Sequence, residues 1–74
     1  MSIRSNLGEI MRQKGMTYEE LQFLAKIAPD TVARARDKRI ATCTLATLEK
    51  IADALEINIT ELFTHSSKNV NINI

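Results

Sequence analysis

Four cations lie close together in the middle of the chain, and their spacing suits the binding of phosphate. They are Arg34, Arg36, Lys38 and Arg39, and Asp37 is the only opposing charge among them. Guanidinium and ammonium groups donate hydrogen bonds to phosphate oxygens, and a one-sided basic cluster is the electrostatic footprint of nucleic-acid binding. A solvated surface run would have the same composition, so the cluster alone leaves both interpretations open.

The net charge of the whole chain, +1 at pH 7, hides this concentration of positive charge. Residues 1–40 carry eight Lys and Arg against five Asp and Glu, whereas residues 41–74 carry two against four. The excess positive charge therefore belongs to the half of the chain that contains the basic cluster.

Residues that could support catalysis or hold a metal ion are scarce. The chain has one histidine, His65, and one cysteine, Cys43, which are too few for a structural zinc site or an internal disulfide. It has no glycine-rich loop, and no set of nucleophile, base and orienting group can be assembled from its residues. We therefore expect neither an enzyme nor a cofactor. Three aromatic residues are also too few for single-strand binding by base stacking.

The length of 74 residues allows one small domain. An apolar content of 45%, with one proline and two glycines, suits a compact helical fold better than a disordered chain. No apolar run approaches the roughly 20 residues that span a membrane, and the sequence shows no signal peptide. We expect a cytoplasmic, nucleoid-associated protein without a membrane partner.

Three helices are predicted up to the basic cluster, over about 3–14, 18–25 and 29–36. Gly15 stands where the first helix needs a left-handed residue to end it. Thr17 and Glu20 form a capping-box pattern at the start of the second helix, and Pro29 suits the first position of the third. Because only three residues separate the second and third helices, the two must cross steeply.

The rest of the chain predicts a loop, two more helices and a tail. The loop covers residues 39–43, Thr44 caps a fourth helix, and Asn58 with Glu61 opens a short fifth one. The expected fold is therefore an all-α, five-helix bundle over residues 1–65 with a tail over 66–74. Helical spacing predicts a core of Ile3, Leu7, Ile10, Met11, Leu21, Leu24, Ala25, Val32, Ala35, Leu45, Leu48, Ile51, Ala52, Leu55, Leu62 and Phe63.

The tail has a pattern of its own. Residues 70–74 alternate between apolar and polar, which is the period of a half-buried β-strand. A single strand cannot satisfy its own backbone groups, so it must pair with something or stay irregular. Pairing between two copies predicts a homodimer, whereas pairing within the chain would fold the tail back on its own domain.

An ordered set of residues between 6 and 63 resembles the phage Cro and cI repressors and the related XRE-type helix-turn-helix proteins. The set is Asn6-Leu7-Gly8-Glu9-Ile10, Lys14-Gly15-Met16-Thr17, Glu19-Glu20-Leu21, Ile27, Thr31-Val32, Arg34, Thr47-Leu48, Ile51-Ala52-Asp53-Ala54-Leu55 and Glu61-Leu62-Phe63. No segment is diagnostic alone, and the specificity lies in the order and spacing of the whole set. The resemblance implies a lambda-repressor-like domain whose helix-turn-helix, residues 18–36, docks in the major groove of double-stranded DNA.

The resemblance also implies which residues contact base edges. Pro29, Asp30, Ala33 and Arg34 lie where the family places its base contacts, and Arg34 is the best candidate for paired hydrogen bonds to guanine O6 and N7. Asp30 could accept a hydrogen bond from cytosine N4. Alternatively, Pro29 is only a helix initiator, and Asp30 only a residue that suits the positive end of the helix dipole.

The resemblance makes the third helix, residues 29–36, the recognition helix, and it implies phosphate contacts on both sides of this helix. Lys38 and Arg39 follow this helix, and Arg36 lies at its end. Tyr18 stands where the family often has a phosphate-binding glutamine, and it could instead cover the core as an aromatic cap. Ala28 replaces a common serine and therefore lacks both a capping oxygen and a phosphate-binding hydroxyl.

Several departures from the family pattern are predicted to matter. Gln22 stands where alanine is usual, and Lys26 stands where glycine is usual. A left-handed Lys26 would cost roughly 1 kcal/mol. Met11 and Arg36 occupy positions that often form an internal Arg–Glu pair, so we expect Arg36 to be free to face DNA.

The sequence leaves two functions open. The first is a transcriptional regulator of the repressor type that binds a two-fold operator as a homodimer through its C-terminal helix and tail. The second is a protein-interaction module on the same fold, such as an antirepressor or antitoxin partner, that binds no operator itself. The departures at Gln22, Lys26 and Ala28, together with the alternating tail, favour the second.

Overall fold

The computed structural model describes residues 2–66, in which four α-helices surround one core beside a small antiparallel sheet. In chain order the elements are β1 (Ser2–Ser5), α1 (Leu7–Lys14), α2 (Tyr18–Ala25), α3 (Pro29–Ala35), a 3₁₀ helix (Lys38–Thr42), α4 (Leu45–Leu55), a 3₁₀ turn (Ile59–Glu61) and β2 (Phe63–Ser66). The mostly helical domain agrees with the prediction, whereas the all-α class and the count of five helices do not.

The N-terminal residues form a strand, although the sequence predicted the first turn of a helix. β1 pairs antiparallel with β2, so that Ile3 lies opposite His65 and Ser5 lies opposite Phe63. The first helix consequently begins at Leu7. The position of Ile3 fits helical spacing and strand alternation equally well, and pairing with the other end of the domain decides between them.

The predicted fifth helix is a single 3₁₀ turn. The Glu61 carboxylate accepts a hydrogen bond from the Asn58 amide at 3.0 Å, as the capping pattern requires. Leu62 is buried after this turn, but Phe63 already belongs to β2, because pairing with β1 replaces a further helical turn. The predicted tail strand over 70–74 lies outside the described residues.

The predicted loop over residues 39–43 contains the 3₁₀ helix Lys38–Thr42. Asp37 precedes it, and its side chain accepts a hydrogen bond from the Arg39 amide at 2.8 Å. The buried Ile40 anchors this short helix to the core.

The predicted C-terminal end of α1 and the predicted starts of α2 and α4 are confirmed. The Thr17 hydroxyl accepts from the Glu20 amide at 3.1 Å, and the Glu20 carboxylate accepts from the Thr17 amide at 2.8 Å. The Thr44 hydroxyl accepts from the Thr47 amide at 3.1 Å. Gly15 ends α1 with a φ of 67°, a left-handed conformation that favours glycine.

The core lies between the helices, and two of its predicted members are wrong. Leu24 is 52% exposed because α2 buries only the narrow stripe of Leu21 and Ala25. Leu45 is 69% exposed because it is the first residue of α4, ahead of the buried stripe of that helix. The buried residues are Leu7, Met11, Leu21, Ala25, Val32, Ala35, Ile40, Leu48, Ile51, Ala52, Leu55 and Leu62.

Candidate nucleic-acid interface

The third helix, α3, has one buried face and one solvent-facing face. Val32 and Ala35 are buried against the core. The residues that the sequence analysis assigned to base edges lie on the other face, where Pro29, Asp30 and Ala33 are exposed and Arg34 is half-buried. This arrangement leaves the outer face of α3 open for a ligand, and its contact with bases stays a prediction.

The turn between α2 and α3 has the backbone that the sequence predicted. Lys26 ends α2 with a φ of 57° and a ψ of 50°, which is the left-handed conformation. Ala28 precedes α3 in extended backbone and offers no side-chain cap, while Pro29 occupies the first turn of the helix. A short turn of this kind holds the two helices at a fixed crossing.

The C-terminal end of α3 is hydrogen-bonded to the small sheet. The Ser5 hydroxyl donates a hydrogen bond to the Ala35 carbonyl and accepts one from the Leu7 amide at 3.2 Å. The adjacent Asn6 amide donates to the Leu62 carbonyl at 2.8 Å. The sheet is therefore joined to the C-terminal end of α3 through a carbonyl that helix geometry leaves without a partner inside the helix.

Arg36 is exposed, and its guanidinium makes no ion pair within residues 2–66. It lies over the ring of Tyr18, 4.2 Å from the ring centroid, in a cation–π contact. The sequence left Tyr18 either as a phosphate contact or as an aromatic cap on the core. In the structure its ring is partly exposed and contacts the guanidinium of Arg36. The end of α3 and the start of α2 therefore form one polar edge.

Arg34 lies one helical turn from Asp30 on α3. The distance from Arg34 Nε to Asp30 Oδ2 is 3.3 Å. Arg34 Nε itself is buried and its geometry toward the carboxylate is not that of a hydrogen bond. The contact is therefore an electrostatic attraction that holds one side of the guanidinium.

Arg39 is engaged by Asp37 in a fork-like ion pair. Arg39 Nε lies 3.1 Å from both carboxylate oxygens, and Nη2 lies 3.0 Å from Oδ2. The hydrogen bond from Arg39 lowers the pKa of Asp37, and the same bond raises the pKa of Arg39. Lys38 is exposed and makes no ion pair within residues 2–66, so the basic cluster is only partly neutralised.

The structural features are those of a helix-turn-helix, and comparison with known families agrees. A family model described as the Cro/C1-type HTH DNA-binding domain matches residues 6–68. The chain belongs to this family. Comparisons with curated proteins and with solved structures gave no match.

The Cro/C1-type match supports a DNA-binding regulator, in agreement with the resemblance drawn from the sequence. The structure brings together Tyr18 and Arg36, and also Asp30 and Arg34. Sequence reasoning did not assign a role to Ser5. No local signal could have found it, because its partner Ala35 is 30 residues away.

A role for Asp37 was also missed, although a local signal existed. Asp is common at the start of short helices and turns, where its carboxylate accepts from the amide two residues on. Asp37 and Arg39 have this spacing. The pattern predicts the turn, and the side-chain ion pair follows from it.

Within residues 2–66, no group of three or more His, Cys, Asp or Glu side chains is placed to hold a metal ion. None of the helices found there has the length and apolar character that a membrane crossing needs.

Proposed function

We propose that the protein is a sequence-specific transcriptional regulator of the repressor type that inserts α3 into the major groove of double-stranded DNA. The observation that carries the proposal is the division of α3, which buries Val32 and Ala35 and leaves Asp30, Ala33 and Arg34 on the outer face. A helix supported in this way reads base edges with its outer side chains. The protein would then act by occupying DNA and not by catalysis.

The residues of this surface make two kinds of contact with DNA, some with base edges and the others with phosphates. Arg34 reads a guanine through its Nη groups, and the small side chains of Pro29 and Ala33 allow close approach to the groove floor. Arg36, stacked on Tyr18, and the exposed Lys38 bind phosphates on either side and set the register. Arg39 and the backbone at Ala28 complete the phosphate contacts.

A homodimer on a two-fold operator is part of the proposal. With seven residues, α3 spans only a few base pairs, and dimerisation doubles the length of the site. Two observations support an interface at the C-terminal end. Within the described residues β2 pairs on one side only, with β1. The residues that follow Ser66 include apolar side chains at the alternate positions Val70, Ile72 and Ile74.

A second candidate is an interaction module that binds a protein and no operator. The observation in its favour is an apolar patch on α2, where Phe23 is 80% exposed next to the exposed Leu24. Large apolar side chains that are exposed together mark sites of protein contact. Nothing in this patch requires DNA.

Retention on DNA at increasing salt separates the two candidates. A random-sequence duplex of about 30 base pairs is immobilised, and the protein is eluted between about 50 and 300 mM salt, over which the Debye length falls by more than half. A regulator binds and loses affinity with a log–log slope of about −0.9 for each phosphate neutralised. The double variant Arg36→Ala, Lys38→Ala should elute earlier with a flatter slope. Failure of the unmodified chain to bind at the lowest salt would favour the interaction module.

A further inference from the structure

We propose that Asp30 is a positioning residue for base readout, which holds the guanidinium of Arg34 so that its outer edge meets one guanine. The inference rests on the proposed function, because it requires α3 to lie in the major groove. It gives Asp30 a different role from a direct contact to cytosine or a favourable charge at a helix start.

The geometry of the pair carries the proposal. Asp30 Oδ2 lies 3.3 Å from Arg34 Nε, one helical turn further along α3. The side chain of Asp30 is 77% exposed, whereas that of Arg34 is 39% exposed. Arg34 is therefore packed along the helix surface with its inner side toward the carboxylate.

The burial of a single atom decides which edge of Arg34 remains for a ligand. Arg34 Nε has almost no accessible surface, so a base cannot reach it. The Nη1 and Nη2 groups form the other edge of the planar fork, and the described residues give them no hydrogen-bond partner. That edge matches the two acceptors of guanine, O6 and N7.

The carboxylate contributes in two ways. It limits the orientations of a long side chain before binding, and therefore reduces the conformational entropy that would be lost on contact with the base. It also repels phosphate, which disfavours the use of Arg34 as a general backbone contact. Both effects favour contact of Arg34 with guanine over contact with phosphate, while the repulsion lowers affinity for DNA of any sequence.

The test is selection from a pool of duplexes with a randomised core, followed by sequencing of the bound fraction. The unmodified chain is compared with Asp30→Ala, Arg34→Ala and the double variant. Glu19→Ala is the matched control, since Glu19 is likewise an exposed acidic residue in the first turn of a helix of the motif, without an ion pair in the described residues. Thermal unfolding followed by circular dichroism verifies that each variant is folded.

The expected result is a guanine preference at one position that depends on both residues. Loss of a bidentate contact in Arg34→Ala should reduce that preference about tenfold or more. Asp30→Ala should reduce it at least about threefold at the same position, and should add nothing in the Arg34→Ala background. Binding of Asp30→Ala to unselected DNA should be unchanged or tighter, because a negative charge is removed. Glu19→Ala should keep the preference.

Three other results would contradict the proposal in different ways. An unchanged guanine preference in Asp30→Ala would make the ion pair incidental. Loss of a cytosine preference at a separate position would make Asp30 a direct reader. If the unmodified chain enriches no sequence, the proposed function itself fails, and the role of Asp30 fails with it. Should Asp30→Ala not fold, Asp30→Asn removes the charge with little change of shape, and the same comparison applies.

Discussion

The guanidinium of Arg36 lies 4.2 Å from the centroid of the Tyr18 ring. Tyr18 is the first residue of α2 and Arg36 directly follows α3, so this contact joins the two helices of the motif at their polar edge. A guanidinium stacked on a ring keeps its N–H groups at the periphery, where they can reach a phosphate. The pair therefore orients a cation that would otherwise sample many conformations.

Replacing the ring should weaken DNA binding through Arg36. Tyr18→Leu removes the stacking surface, and we expect a loss of about 0.5–1 kcal/mol, or roughly two- to fivefold in affinity, for every duplex sequence. Tyr18→Phe keeps the ring and isolates the hydroxyl, so its difference from the unmodified chain measures any phosphate contact of that group. Titration of a labelled duplex gives both values. Equal affinity for Tyr18→Leu and the unmodified chain would show that the stacking has no role.

Lys38 should contribute more to phosphate binding than Arg39. Arg39 is already paired with Asp37, whereas Lys38 makes no ion pair within the described residues. We expect Lys38→Ala to reduce the salt slope by about one unit, and Arg39→Ala to reduce it by less, without a change in base preference. The double variant should lie between about one and two units. A larger effect of Arg39→Ala would mean that its pair with Asp37 opens on DNA.

Asp37 should titrate below its ordinary pKa of 3.8 because Arg39 stabilises the carboxylate. A lowered folded-state pKa means that Asp37 stabilises the fold at pH values above 3.8. This contribution is lost as the pH falls through the lowered value. An NMR titration of the side-chain carboxyl measures the pKa directly, and Arg39→Ala should return it toward 3.8. An unshifted pKa in the unmodified chain would contradict the ion pair.

Removing the Ser5 hydroxyl should destabilise the domain and loosen α3. Ser5→Ala leaves the Ala35 carbonyl and the Leu7 amide without this partner, and we expect a loss of about 1–3 kcal/mol in the free energy of unfolding. Ser66→Ala is the control, because Ser66 is exposed on β2 and should change stability by less than about 0.5 kcal/mol. Urea denaturation compares the two variants. Similar midpoints would mean that the sheet does not support α3 through Ser5.

Deleting residues 67–74 should convert the proposed dimer into a monomer. The triple variant Val70→Asn, Ile72→Asn, Ile74→Asn should have the same effect without shortening the chain, because it removes the apolar face of the alternating pattern. The control is the double variant Asn71→Ser, Asn73→Ser, which changes the polar positions of the pattern and should leave the dimer intact. Sedimentation velocity over a range of concentrations measures the mass. A truncated chain that dimerises as tightly as the full one would assign the interface to the helices.

The sequence by itself determined the helices that carry the motif. The signals at α2 and α4 are local, since Thr17 with Glu20 and Thr44 with Thr47 lie within one turn of each other. The left-handed end at Lys26 followed from its place in the resemblance to the family. The two faces of α3 were likewise predictable, because helical periodicity separates buried from exposed positions.

Only the tertiary structure decided the sheet and the contact between Tyr18 and Arg36. Ile3 and Phe63 fit helical spacing, but strand pairing connects the two ends of the domain, and no local pattern specifies such a partner. Leu24 and Leu45 are apolar at helical positions, and whether they are buried depends on which neighbouring element covers them. The pairs of Asp30 with Arg34 and of Asp37 with Arg39 are local, because their members lie within about one helical turn of each other. Tyr18 and Arg36 lie at different helices, and only the packing of α2 against α3 brings the ring and the guanidinium together.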